Sequence, residues 1–311
     1  MQFTLEDVFS NIDRAANALP IASAAKRVRF GEYPSVFKGR GPDFYQISEY
    51  NPEEHEVDQI QWHLTDPDGT VYVREAKITK DFTVVVMADL SSSMLFKLRL
   101  LFETIGNVGL TCSYAQDPMG FIGFANDIIF DETPKIGEGA VDNLIEDLYD
   151  FFEGLEKDGE GLLRGRADFV KAFEFFSSRH DNNQCFLVVV SDFIGAEEFV
   201  KSQLLKDVTS RHETVFLFLD NPSEFKVRGW LWRRLKMRDI ETGRDNVVSP
   251  GDMKKLEQEI RAERKRMRDY LNDIGIGEMV LEYSNNGKHY ERLLRFFLER
   301  QEMIKSGDIM I

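Results

Sequence analysis

Three acids in this sequence are spaced so that a fold could bring them together. Asp89, Asp192 and Asp220 each stand at the end of an apolar run: Val84-Val85-Val86-Met87-Ala88, Phe186-Leu187-Val188-Val189-Val190 and Val215-Phe216-Leu217-Phe218-Leu219. Short continuous Val-rich runs read as strands buried on both faces of a parallel sheet. Parallel strands end on one edge, and ligands of open α/β sheets bind just outside it. The string Asp89-Leu90-Ser91-Ser92-Ser93-Met94 adds hydroxyls to the first of these acids. Asp89, Ser91 and Ser93 can turn their oxygens inward from a loop, and carboxylate and hydroxyl oxygens suit a hard cation such as Mg²⁺ or Mn²⁺. Taken alone, Ser91 to Ser93 could be helix caps. Taken with Asp192, they favour a cation, because carboxylates meeting at one edge must be neutralised.

The elements that would hold these residues follow from periodicity. From Asp81 onward, apolar strands alternate with helical patterns such as Leu98, Leu101, Phe102, Ile105 and Val108, which predicts an α/β doubly wound, mostly parallel sheet. Strands are expected at 82–88, 121–124, 186–190, 215–219 and 279–283, and helices at 98–108, 141–155, 167–176, 197–208, 253–274 and 293–298. Residues 1–80 are turn-rich, with an alternating strand pattern at Thr70–Ala76 after the turn Asp68-Gly69. We therefore expect a smaller β-rich accessory region over 1–80 and an α/β domain over 81–220 and 251–302. A β-hairpin insertion over 221–250 is expected to join the accessory lobe.

Composition narrows the function. The chain has 311 residues, 42% of them hydrophobic, which is ample for a packed core. A formal charge of −15 turns it away from nucleic acid and anionic membrane. No apolar run approaches the ~20 residues of a bilayer helix, and Met1 to Asp7 lacks the pattern of a secretory leader. The expectation is a cytoplasmic protein, with Cys112 and Cys185 as buried thiols. Enzymatic signatures are weak. Position 91 is Ser where a phosphatase Asp-x-Asp pair would place its acid, no phosphate-binding Gly-x-x-x-x-Gly-Lys string occurs, and the five His lack zinc spacing. A metal-dependent hydrolase is the lesser alternative.

Asp-x-Ser-x-Ser after a buried strand resembles the metal-ion-dependent adhesion site of von Willebrand factor A-like domains, and Ser191-Asp192 resembles that family's third metal motif. An ordered set of stretches resembles one bacterial branch, the domain-of-unknown-function 58 family. They are Lys38–Phe44, Glu49–Pro52, Ile60–Trp62, Tyr72–Glu75, Ser191–Phe193 and Asp239–Gly243, and together they cover most of residues 29–300. The resemblance implies a non-enzymatic interaction or adaptor protein. A divalent cation at the sheet edge would keep an open position for a partner's carboxylate. Ser91 and Ser93 would ligate it directly, and Asp89 and Asp192 would often act through water. It also implies a MoxR-type AAA+ ATPase partner and a client protein whose assembly or activation the pair serves. One departure stands out: the family's second motif places a Thr hydroxyl where this chain has Gly165-Arg166-Ala167-Asp168. Ala167 has no oxygen to offer, so either the cation is held more weakly or Asp168 compensates. A metal-independent interaction module is the alternative that Ala167 favours.

A basic run with Trp230 and Trp232 spans Arg228, Arg233, Arg234, Lys236 and Arg238. Trp232, Arg233 and Arg234 read as anchors for an acidic partner. The plainer reading, a half-solvated hairpin, weighs more. The basic residues of the long helix, Arg264 among them, read as a solvated face balanced by Glu257, Glu259 and Glu263.

Overall fold

The computed structural model describes residues 3–17, 43–50, 60, 70–77, 83–158, 166–181, 183–221, 235–238, 245–248, 250–283 and 288–306. The chain divides into a larger unit, 1–30 with 83–311, and a smaller one, 31–82. In the smaller unit β1 (Asp43–Glu49) pairs antiparallel with β2 (Tyr72–Lys77), and Ile60 bridges to Val73.

The larger unit is built on a six-stranded sheet ordered β10-β7-β6-β3-β4-β5. Its strands are β3 (Thr83–Asp89), β4 (Met119–Phe124), β5 (Ile128–Lys135), β6 (Cys185–Ser191), β7 (Glu213–Asp220) and β10 (Gly277–Glu282). All pairings are parallel except β4 with β5. A separate antiparallel pair joins β8 (Leu235–Arg238) to β9 (Asp245–Val248). The expected mixed α/β architecture with a mostly parallel central sheet is present.

The four inner strands are apolar on both faces because both are covered. On one face Val85, Met87, Leu187, Val189, Phe216 and Phe218 share a core with α4 (Phe169–Arg179), α6 (Gln203–Thr209) and α7 (Pro250–Asp273). The alternate residues Val84, Val86, Phe186, Val188 and Leu217 are equally buried. Phe186 meets Phe297 of α8 (Lys288–Ser306) edge-on, ring centroids 5.9 Å apart. The buried helix α2 (Leu98–Ala115) packs against α1 (Leu5–Asn17) and α3 (Glu138–Asp158), with Phe102 meeting Phe3 and Phe152.

Within the region expected as β-rich, residues 5–17 form the amphipathic helix α1, which inserts Val8 and Ile12 into buried positions. Of the hairpin expected over 221–250, the described residues carry the β8–β9 pair, and most of the rest of that span, like 18–30, lies outside the described residues. The single helix expected over 197–208 is two, α5 (Glu197–Val200) and α6, because Ser202 stops one and caps the next by accepting from Leu205 N at 3.2 Å. Trp62, Trp232, Arg233 and Arg234 lie outside the described residues.

Candidate functional site

The parallel register creates the site. Ala88 of β3 lies opposite Val190 of β6, so Asp89 reaches the edge beside Ser191, and Asp192 follows one residue further out. On the other side of β6, Ser191 pairs with Phe218 of β7, whose strand ends at Asp220. All three acids therefore come to one sheet edge.

Asp89 is almost completely buried, 1% exposed. Its Oδ1 accepts from the backbone N–H of Ser91 at 2.8 Å, which bends the chain away from the strand. Its Oδ2 accepts the Ser191 hydroxyl at 2.6 Å. Ser191 Oγ in turn accepts from Phe193 N at 2.9 Å. Burial, reinforced by the charge of Asp192, pushes the Asp89 carboxyl up to about 6, against the lowering pull of the Ser191 and Ser91 hydrogen bonds. The Ser91 and Ser93 hydroxyls share a hydrogen bond at 3.2 Å.

Asp192 sits on a turn that needs left-handed backbone twice, at Phe193 (φ 55°) and Gly195 (φ 75°). A phenylalanine there is uncommon and strained. Its ring offsets the strain by packing on Phe169, Phe216 and Phe218. The Asp192 carboxylate accepts from Ile194 N on Oδ1 at 3.1 Å and from the Lys97 ammonium on Oδ2 at 2.9 Å. Lys97 ends the 3₁₀ turn Ser92–Lys97 that follows the serine string. Arg264, from α7, closes the other flank. Its Nε donates to the Asp192 carbonyl at 2.8 Å and its Nη1 to Asp220 Oδ1 at 3.2 Å.

Of the residues expected at a cation, the structure thus brings together Asp89, Ser91, Ser93 and Asp192. Asp168 does different work: it is exposed and caps α4, its Oδ1 accepting from Lys171 N at 3.0 Å. Ala167 is half-buried against the core and offers no oxygen. Sequence reading marked Ser191 only as part of the Ser191-Asp192 motif, not as the donor to Asp89, and it missed Lys97 and Arg264. Lys97 carried no local signal, and Arg264 was assigned to a solvated helix face although it is only 8% exposed.

The donor set fits a hard cation in part. Serine oxygens 3.2 Å apart match adjacent ligands of an octahedral Mg²⁺ site with bonds of ~2.1 Å. Among the described residues no group of three His, Cys, Asp or Glu is placed to hold a metal ion, so any cation here would depend on those hydroxyls. Each oxygen of Asp89 and Asp192 already has a protein donor. Leu95 and Phe96 of the 3₁₀ turn and Val170 of α4 are exposed hydrophobic side chains, and Arg166 lies against Gly195 of the Asp192 turn.

The chain belongs to the family described as protein of unknown function DUF58, which matches residues 46–269. Among solved structures it is similar to an aerotolerance-related membrane protein from Bacteroides fragilis at 16% identity, covering 70% of this chain and 99% of that one, with a TM-score of 0.41. It is also similar to the conserved hypothetical protein BatB from Bacteroides thetaiotaomicron at 15% identity, covering 71% and 99%, with a TM-score of 0.38. No curated protein matches. Among the described residues no helix is long and apolar enough to cross a membrane.

Proposed function

We propose that this chain is a non-enzymatic interaction protein whose working centre is the cup at the ends of β3 and β6. In this reading a divalent cation, Mg²⁺ or Mn²⁺, sits on the oxygens of Ser91 and Ser93, with Asp89 and Asp192 behind them. A carboxylate of a partner protein completes its coordination. The reading extends to a von Willebrand factor A-like role, with a MoxR-type AAA+ ATPase and a client complex as partners. It is carried by one observation: the serine hydroxyls of one loop stand 3.2 Å apart over a buried Asp89, beside the Asp192 turn of a second strand. The exposed Leu95, Phe96 and Val170 give a partner apolar surface.

A metal-independent interaction module is the second reading. It is favoured by Ala167 and by the Lys97 ion pair, which already neutralises Asp192. Co-purification from the native host, with and without chelator, tests both. Under the first reading chelator releases the bound proteins, and Asp89→Ala abolishes their capture in Mg²⁺. Capture indifferent to chelator would leave the second.

A further inference from the structure

The turn that carries the serine string ends on a lysine with a fully buried side chain. Lysine is almost never buried unless paired, and an ammonium and a carboxylate leave water together only where their contacts are good. The contacts here are specific. Lys97 Nζ stands 2.9 Å from Asp192 Oδ2, and their side chains are 0% and 1% exposed. Nζ also donates to the backbone carbonyl of Ser93 at 3.2 Å. Asp192 and Ser93 are two of the four residues assigned above to a cation.

We propose that Lys97 is the resident cation of the cup, and that it competes with a divalent ion for Asp192. The ion enters only as far as the ammonium gives way. The ion in this inference rests on the cation reading above; the competitor rests on the geometry of Lys97 itself. Two positive charges held against one buried carboxylate repel strongly at low dielectric, so ammonium and metal exclude each other from Asp192 Oδ2. The rest of the site agrees. The other Asp192 oxygen is taken by Ile194 N, so both carboxylate oxygens are already engaged before any ion arrives.

The test is Mn²⁺ affinity, measured by calorimetry and by electron paramagnetic resonance of free Mn²⁺, on the full chain as wild type, Lys97→Met and Asp89→Asn/Lys97→Met. Methionine keeps the length and packing of the stem and removes the charge. Lys97→Met is expected to bind Mn²⁺ about tenfold more tightly than wild type or better, since the ion no longer displaces a buried ammonium. The double variant is expected to lose that gain. Equal, measurable affinity in wild type and Lys97→Met would overturn the competition and leave the cation reading standing. Absence of binding in both, with Lys97→Met folded, would overturn the cation reading and the competition with it. Should Lys97→Met fold poorly, Mg²⁺ or Mn²⁺ added during refolding is expected to restore it by replacing the lost charge, and failure of both ions to do so would count against the proposal.

Discussion

Asp89 shows how much of this site is set by burial. Its carboxyl stands at about 6, above the usual 3.8, because burial and Asp192 both oppose its charge. A raised carboxyl favours the folded state where it is protonated. Its contribution is therefore full below the unfolded value near 4 and is lost as pH rises through about 6. At neutral pH the folded chain carries a buried charge it would be more stable without. Asp89→Asn, measured by thermal melting in chelator, should gain on the wild type as pH rises from 4 to 8, by on the order of 1–3 kcal/mol at the upper end. A gap that stays constant across that range would show that Asp89 does not titrate in it. The same residue illustrates what the sequence carried. Asp89, Ser91 and Ser93 were legible because the string is local. Lys97 was not, because its partner Asp192 lies 95 residues away and the ion pair exists only once β3 and β6 are adjacent. Arg264 was hidden for a related reason: on a 24-residue helix crowded with charge, nothing local distinguishes the arginine that turns inward.

At the scale of elements, α2 is the helix against which the rest of its face is built, and two glycines set how closely its neighbours approach. A Cβ at Gly106 would fall 2.3 Å from Ile12 Cδ1, the mobile end of a side chain on α1. At Gly109 it would fall 2.6 and 2.7 Å from both γ-carbons of Val141 on α3 and 3.2 Å from its Cβ. A β-branched side chain cannot rotate all of these away, so α3 must move. Alanine in a helix interior returns about 0.5–1 kcal/mol over glycine, while overpacking costs about 1–3 kcal/mol. Gly109→Ala should therefore destabilise in urea melts, and Gly106→Ala should be close to neutral; the reverse order would mean that α1 is the more rigid contact. Neither glycine announced this in the sequence, since a close approach is a property of two helices. The buried strands β3, β6 and β7 were legible for the opposite reason, as each is a continuous apolar run. The edge strand β5 escaped because its solvent-facing Asp131, Glu132, Pro134 and Lys135 mask any alternation.

For the whole molecule, stability depends on a polar knot between helices far apart in the chain. Glu103 of α2 has a fully buried side chain. It accepts from Asn11 Nδ2 of α1 at 2.7 Å and from Arg99 Nε at 3.0 Å, and His289 Nε2 of α8 lies 3.0 Å from its other oxygen. Burial pushes this carboxyl up, but His289, Asn11 and Arg99 outweigh it and leave it below its usual 4.5. A lowered carboxyl works in the opposite sense to Asp89: its stabilisation is present above the unfolded value and is lost as pH falls through the folded one. Glu103→Gln keeps the shape and removes the charge. At neutral pH it should cost about 3 kcal/mol, the scale for breaking a buried pair from one side, and the deficit should shrink as pH drops below 4.5, where the unfolded chain protonates first, until the folded carboxyl protonates at its lowered value. Urea melts across that range measure it directly. Asp89 and Glu103 thus pull the pH profile in opposite directions, Glu103 below 4.5 and Asp89 between about 4 and 6, and the double variant Asp89→Asn/Glu103→Gln should show a flatter dependence across both windows than either single one. The two effects should add, since no hydrogen bond or ion pair described here joins the two carboxylates; a strong departure from additivity would mean that the cup and the knot are coupled through α2.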